Sequence, residues 1–246
     1  MRIVITEQPE LVIADRVAAA VRDGARTIGL ATGSSPLKAY GELIRRHRDE
    51  GLSFAGVSAV LLDEYIGLPP DHSQSFARFI REHLTDGLDL AAVYAPDGMA
   101  ADLPAAARAY DELIARFGPV SVQVLGIGAN GHLGFNEPGS SFTSRSRVVQ
   151  LARRTREDNA RFFGSVDQVP SSAITQGLGT ICEAQEPVLI ATGEAKAEAV
   201  AAAVEGPVGV GCPASVLRRH PHATIAVDEA AAGLLHHRER YRLPDT

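Results

Sequence analysis

Short apolar runs alternate with stretches of helical periodicity along this chain of 246 residues. Strands that alternate with helices require crossover connections, so this pattern predicts a parallel sheet. The run 27–31, for example, is short and apolar, as is typical of a strand that is buried in such a sheet. No repeat, linker or break in composition divides the chain. We therefore predict one α/β domain spanning residues 1–246, with an open, mostly parallel Rossmann-like sheet and helices on both faces.

The predicted elements follow from the two periodicities and from the glycines and prolines that interrupt them. Strands are expected at 2–6, 27–31, 57–62, 93–95, 120–125, 187–191 and 224–227. Helices are expected at 9–23, 35–51, 74–84, 103–117, 155–163 and 194–204. Ser35 is the expected N-cap of the second helix, with Pro36 in its first turn and Gly51 at its end.

Composition excludes several classes of protein. The net charge of −6 disfavours a surface that binds nucleic-acid phosphates, and no run of about 18 apolar residues could cross a membrane. Glu7 and Pro9 interrupt the N-terminal apolar run too early for a secretory signal. Cys182 and Cys212 are too few for a disulfide framework or a zinc cluster. We expect a cytoplasmic protein with reduced thiols and without a metal or cofactor.

Ligands of open α/β sheets bind beyond the carboxyl ends of the strands, so the segments after the apolar runs are the candidates for a ligand site. The first segment combines Thr32, Gly33, Ser34 and Ser35 immediately before a predicted helix. The free N–H groups of a helix N-terminus attract phosphate. An ordinary N-cap needs only one hydroxyl, and this segment has three. It lacks the Lys-Ser/Thr ending of a Walker A loop, but it still indicates phosphate binding.

Two adjacent carboxylates, Asp63 and Glu64, end the apolar run 57–62. Neighbouring side chains in extended backbone point to opposite sides, so the two should differ in role. One of them could act as a general base with a pKa tuned by partial burial. A solvated turn is the simpler alternative.

The third segment, 125–139, is rich in glycine and contains the pattern G-x-G-x-x-G after a predicted strand. A dinucleotide site would need a helix there and an acidic residue about 20 positions later, and neither is present. The loop instead presents Asn130, His132 and Glu137. A histidine that is supported by a carboxylate and an amide is suited to acid/base chemistry near neutral pH.

Lys196 marks the fourth segment. It is one of only two lysines, with Lys38, among 24 basic residues, and it follows the predicted strand 187–191 in the first turn of a helix. Cations are unfavourable at that end of a helix unless they complete an anion site. Together the four segments indicate acid/base chemistry on a small phosphorylated substrate.

Three stretches identify a family. Residues 62–69, residues 126–139, and residues 161–163 followed by 168–170 closely resemble the isomerising glucosamine-6-phosphate deaminases. The resemblance extends from residue 2 to about residue 229. The related 6-phosphogluconolactonases share the fold and the early phosphate loop. They typically have Asp-Glu-Arg where this chain has Asp-Glu-Tyr at 63–65, and Ser-Leu-Phe-Pro where it has Phe-Asn-Glu-Pro at 135–138.

The resemblance implies roles for individual residues. Asp63 would move a proton between C2 and C1 of the open-chain sugar, and His132 would open the pyranose ring with support from Glu137 and Asn130. The products would be fructose 6-phosphate and ammonia. The family's phosphate-binding positions correspond to Thr32, Gly33, Ser34, Ser35, Arg161 and Lys196.

The resemblance also implies a mobile lid over residues 151–170, because Arg161 must reach the phosphate from a distant helix. Allosterically regulated members have a lysine where this chain has Val149, although Arg147 is kept. We therefore expect little activation by N-acetylglucosamine 6-phosphate. A homo-oligomer is compatible with the family, which includes monomers and hexamers. The alternatives are a 6-phosphogluconolactonase and a sugar-phosphate-binding regulator without catalysis, while a nicotinamide dehydrogenase is disfavoured.

Overall fold

Seven parallel strands form the main sheet of the computed structural model, which describes residues 1–242. They are arranged in the order β1-β10-β9-β6-β2-β3-β5. This confirms the predicted fold class. The ten strands of the described chain are β1 (Arg2–Ile5), β2 (Thr27–Leu30), β3 (Ser58–Leu61), β4 (Asp63–Tyr65), β5 (Ala92–Tyr94), β6 (Val122–Leu125), β7 (Arg147–Gln150), β8 (Ser172–Thr175), β9 (Glu186–Ala191) and β10 (Thr224–Val227).

Seven α-helices lie among the described residues, and none of them is both long and apolar enough to span a membrane. Five of them were predicted to within two residues at each end. The helices are α1 (Pro9–Arg22), α2 (Leu37–Glu50), α3 (Phe76–His83), α4 (Leu103–Arg116), α5 (Arg153–Phe163), α6 (Leu178–Cys182) and α7 (Ala197–Val204). The 3₁₀ turns are Thr85–Gly87, Val166–Gln168, Glu194–Lys196, Pro213–Arg219 and Arg238–Arg240.

Strand β3 shows that both faces of the sheet are covered. Its side chains alternate between the two faces, as they must in extended backbone. Ala59 and Leu61 belong to the main hydrophobic core, which includes residues of α1, α2 and α7. Val60 points the other way and packs in a second cluster with Tyr110 and Ile114 of α4. Burial on both faces explains why the central strands are mostly apolar.

A second, antiparallel sheet of three strands was not predicted. Its order is β4-β8-β7, and Asp63 of β4 pairs with Thr175 of β8. These strands have only three or four residues each, and β7 is polar at both ends. Such short segments carry little periodic signal, and their pairing joins residues that are far apart in the chain.

Two local predictions were wrong. Helix α2 begins at Leu37 after Pro36, and no side chain caps its N-terminus, so Ser35 is not an N-cap of the expected kind. The helix predicted at 194–204 is divided into a 3₁₀ turn and α7, with Lys196 at the junction. Gly51 does end α2 in a left-handed conformation, with φ of 72°.

Candidate active site

Four adjacent strands bring the four candidate segments together. Strands β9, β6, β2 and β3 are consecutive neighbours in the sheet, and all are parallel. Their carboxyl ends therefore lie along one edge. Each segment predicted from the sequence follows one of these strands, as expected for an open α/β sheet.

Among the acids at this edge of the sheet, Asp63 has the pKa that departs furthest from its ordinary value. Its side chain is almost fully buried, and no described residue donates a hydrogen bond to its carboxylate. Burial and the negative charge of the adjacent Glu64 raise the pKa of Asp63 to about 8. A carboxylate that is desolvated and without donors is a stronger base than one in water, so Asp63 is suited to removing a proton from carbon.

Glu64 has different partners from Asp63, as the alternation of side chains in extended backbone predicted. Its carboxylate accepts hydrogen bonds from the backbone N–H groups of Tyr65, Phe76 and Ala77 at 2.8–3.0 Å. Two of these donors belong to the first turn of α3. Burial raises the pKa of Glu64, although the three donors oppose that shift. Glu64 therefore holds the start of α3 against β4 rather than facing a ligand.

His132, Glu137 and Asn130 form one cluster within the loop after β6. The Nδ2 of Asn130 donates to Glu137 Oε2 at 2.6 Å, and His132 Nδ1 faces Glu137 Oε1 at 3.7 Å. Burial opposes ionisation of Glu137. The facing imidazole and hydrogen bonds from Thr155 and Asn130 nevertheless lower its pKa to about 2. Glu137 is therefore ionised at neutral pH and presents a negative charge to the imidazole of His132.

The glycines of this loop create the space that the cluster needs. No helix follows β6, and the chain runs without regular structure until β7. A Cβ on Gly128 would lie 2.1 Å from Cε1 of His132, so only glycine leaves room for the ring. Gly134 has φ of 55°, and a Cβ there would lie 3.1 Å from Asp63 Oδ2. The Asp63 carboxylate therefore lies against the loop that carries His132.

Lys196 and Arg161 bring two positive charges together. Lys196 is partly buried and donates to the carbonyl oxygen of Ile127 at 2.7 Å. Burial and the nearby guanidinium of Arg161 lower the pKa of Lys196, while Asp158 opposes this shift. Arg161 itself is exposed on α5. Like charges close together favour an anion between them, and a phosphate is such an anion.

The segment 32–35 keeps its hydroxyl groups free. Within the described chain, Thr32, Ser34 and Ser35 donate no side-chain hydrogen bond, and Gly33 has φ of 92°. The segment is anchored just before it begins, where the buried Tyr40 hydroxyl bonds to both the N–H and the carbonyl of Ala31. A fixed backbone with unused hydroxyls beside a helix start can receive an anion.

Sequence reasoning missed the polar contacts of α5. The Thr155 hydroxyl donates to Glu137 Oε1 at 2.5 Å, and Asn159 Nδ2 donates to the Tyr65 hydroxyl at 3.0 Å. Phe163 packs edge-on against Tyr65. The only signal for Thr155 was its position at the predicted start of the helix, which does not indicate its partner.

A neighbouring cavity of about 610 Å³ is lined in part by Glu137, Arg147 and Val149. The Arg147 guanidinium donates to Asn136 Oδ1 and Ser140 Oγ. Val149 adds no charge to this cavity. No group of three or more side chains among residues 1–242 is arranged to hold a metal ion.

Comparison with known proteins places this geometry in context. Residues 4–226 match the family described as glucosamine-6-phosphate isomerases/6-phosphogluconolactonase. A glucosamine-6-phosphate deaminase of Corynebacterium kroppenstedtii is 55% identical, over 98% of this chain and 95% of that protein. The structure of a monomeric glucosamine-6-phosphate deaminase superposes with a TM-score of 0.91 at 39% identity, over 95% of this chain and 100% of the other. A 6-phosphogluconolactonase from Trypanosoma cruzi shares the fold, with a TM-score of 0.73 at 20% identity over 96% and 97% of the two chains.

Proposed function

Because this chain belongs to the family of glucosamine-6-phosphate isomerases and 6-phosphogluconolactonases, we propose that it converts glucosamine 6-phosphate and water into fructose 6-phosphate and ammonia. The relatives that share about half of its residues carry the name of this deaminase. The reaction belongs to amino-sugar metabolism and needs no cofactor, because acid/base groups can perform every step. We place the enzyme in the cytoplasm.

The observation that carries this proposal is that two acid/base groups lie at the same loop, one on the loop and one beside it. His132 is backed by the ionised Glu137, and Asp63 lies against Gly134 of the same loop. In the proposed first step, His132 transfers a proton to the ring oxygen as the anomeric hydroxyl loses one. The pyranose then opens to an aldehyde, which makes the proton at C2 acidic. Two groups at different places are needed because the two proton transfers occur at different atoms.

In the second step Asp63 removes the C2 proton and returns it to C1. The C1 carbonyl becomes a hydroxyl group and the amine becomes an imine at C2, as a second proton passes from the nitrogen to the C1 oxygen. Water adds to that carbon, and ammonia leaves as the carbonyl of fructose 6-phosphate forms. The phosphate stays bound to Lys196, Arg161, Gly33 and the hydroxyls that precede α2. Its binding energy holds the reacting carbons in place, although it takes no part in the chemistry.

The test is ammonia release from glucosamine 6-phosphate by the purified protein, with fructose 6-phosphate measured in parallel. We expect both products in equal amounts. A protein that releases neither product but hydrolyses 6-phosphogluconolactone would be a lactonase. Saturable binding of sugar phosphates without turnover of either compound would indicate a regulator.

We also propose that residues 151–170 form a lid over the site. Helix α5 is mostly polar and Thr155 is its only buried residue, so its contacts with the site are few: Thr155 meets Glu137, and Asn159 and Phe163 meet Tyr65. The segment contains several arginines that trypsin recognises. Bound glucosamine 6-phosphate should slow tryptic cleavage there in an Asp63→Asn variant, which would retain the substrate unreacted. Equal cleavage with and without the sugar would contradict a lid.

The site adjoins the cavity that contains Val149. An activating phosphorylated effector would need cationic partners there, and Arg147 already donates to two neighbours. We therefore expect that N-acetylglucosamine 6-phosphate leaves the rate curve unchanged. A sigmoidal curve that this compound makes hyperbolic would contradict the expectation.

A further inference from the structure

Glu137 is held by two donors, one from each side. Asn130 Nδ2 contacts Oε2 at 2.6 Å from within the same loop, and Thr155 Oγ1 contacts Oε1 at 2.5 Å from helix α5. His132 Nδ1 faces the same Oε1 at 3.7 Å. This nitrogen atom is buried and has no hydrogen-bond partner. The orientation of the carboxylate therefore decides whether His132 has an acceptor.

The Thr155 contact is unusual for its helix. Every other residue of α5 is at least partly exposed, and the helix is dominated by charged and polar side chains. One buried threonine adds little apolar surface to the core, so apolar packing does not account for its position. Its hydroxyl instead reaches a carboxylate, and hydrogen bonds to charged groups are stronger than those between neutral groups.

We propose that Thr155 is a positioning residue for the ring-opening step, and this proposal rests on the proposed function. The terminal torsion of a glutamate side chain has a broad energy profile, so a carboxylate with one donor can rotate. The second donor, Thr155, stops that rotation and keeps Oε1 directed at His132 Nδ1. Oε1 retains a second lone pair, so it accepts from Thr155 and from a protonated His132 together.

The step that depends on Thr155 is proton transfer at the ring oxygen and not at C2. Asp63 performs the C2 step, and no hydrogen bond joins it to Thr155 in the described structure. Loss of the hydroxyl should therefore lower kcat and leave KM nearly unchanged, because the phosphate contacts remain. The helix must still dock, and Asn159 and Phe163 contribute to that through Tyr65, with no hydrogen bond from Asn159 to Glu137.

The experiment compares wild type, Thr155→Val, Thr155→Ser and Asn159→Ala in the ammonia assay. Valine keeps the shape of threonine and removes the hydroxyl, whereas serine keeps the hydroxyl. We expect a loss of kcat of about 10- to 100-fold in Thr155→Val, as for a lost hydrogen bond to a charged group. Thr155→Ser should restore most of the rate, and Asn159→Ala should not reproduce the kcat loss. Circular dichroism confirms that each variant is folded.

A second readout uses glucosamine 6-phosphate that carries deuterium at C2. If Thr155 acts on ring opening, the isotope effect on kcat in Thr155→Val is no larger than in wild type. A larger isotope effect would show that the C2 step has slowed instead, and would overturn the proposal. A kcat equal to that of wild type, a serine variant as slow as valine, or an equal kcat loss in Asn159→Ala would also overturn it. In each of these cases wild-type turnover leaves the proposed function standing, whereas a wild type without turnover overturns both.

Discussion

Replacing Asp63 with asparagine should lower kcat for ammonia release by about 10²- to 10⁴-fold, the range that general acid–base groups contribute. Asparagine has nearly the same shape but cannot accept the C2 proton. The proposed phosphate contacts lie at other strand ends, so binding of glucosamine 6-phosphate, measured by calorimetry, should stay close to that of the wild type. An Asp63→Asn variant that keeps more than about a tenth of the wild-type rate would contradict the assignment of Asp63 as the base.

The pH dependence provides a second check on the same residue. Asp63 must be ionised to accept a proton, and its pKa is raised to about 8 by burial and by Glu64. The wild-type kcat/KM should therefore rise as the pH increases from 6 through about 8. A profile that is flat across this interval would show that a different group, or a much less perturbed carboxylate, limits the reaction.

The contribution of Asp63 to the free energy of unfolding should fall as the pH rises, whereas kcat/KM should rise. The folded-state pKa of Asp63 lies above the ordinary value of 3.8 for this group, so folding favours the protonated form. Its contribution is fully present below the unfolded-state pKa and is lost as the pH rises through about 8. Asparagine carries no charge at any of these pH values. The Tm of Asp63→Asn relative to wild type should therefore increase between pH 6 and pH 9, which also verifies that the variant is folded.

Replacing Lys196 with methionine should lower kcat/KM by about 10- to 100-fold, as expected when a charge-assisted contact to a phosphate is lost. The ammonium group donates a hydrogen bond to the Ile127 carbonyl beside Arg161. The two like charges favour binding of an anion there. Methionine is close in length to the aliphatic stem of lysine and lacks the charge. The effect should appear mainly in KM, because the phosphate is remote from the reacting carbons.

Lys38 provides the matched control for this variant. It is the only other lysine of the chain, and its side chain is exposed on α2. Lys38→Met changes the net charge by the same amount, so it reports any general electrostatic effect on substrate association. Equal losses in the two variants would mean that Lys196 contributes only to the overall field and does not bind the phosphate.

The amino-acid sequence predicted most of the main sheet and its helices. Apolar runs and helical periodicity are local properties, since each depends on neighbours within a few residues of the chain. The rule that ligands bind beyond the carboxyl ends of parallel strands then selected four segments before any strand order was known. The different tasks of Asp63 and Glu64 also followed from local geometry, because successive side chains of a strand point to opposite sides.

The remaining features depend on contacts between distant parts of the chain. The order β9-β6-β2-β3 makes the four segments neighbours, and the pairing of β4 with β8 places Asp63 beside Gly134. Thr155 reaches Glu137 only because α5 folds back over the loop after β6. Local periodicity contains no information about such partners, since they are selected by the packing of whole elements around a common core. The pKa of Asp63 depends on the same packing, because desolvation is a property of the assembled site.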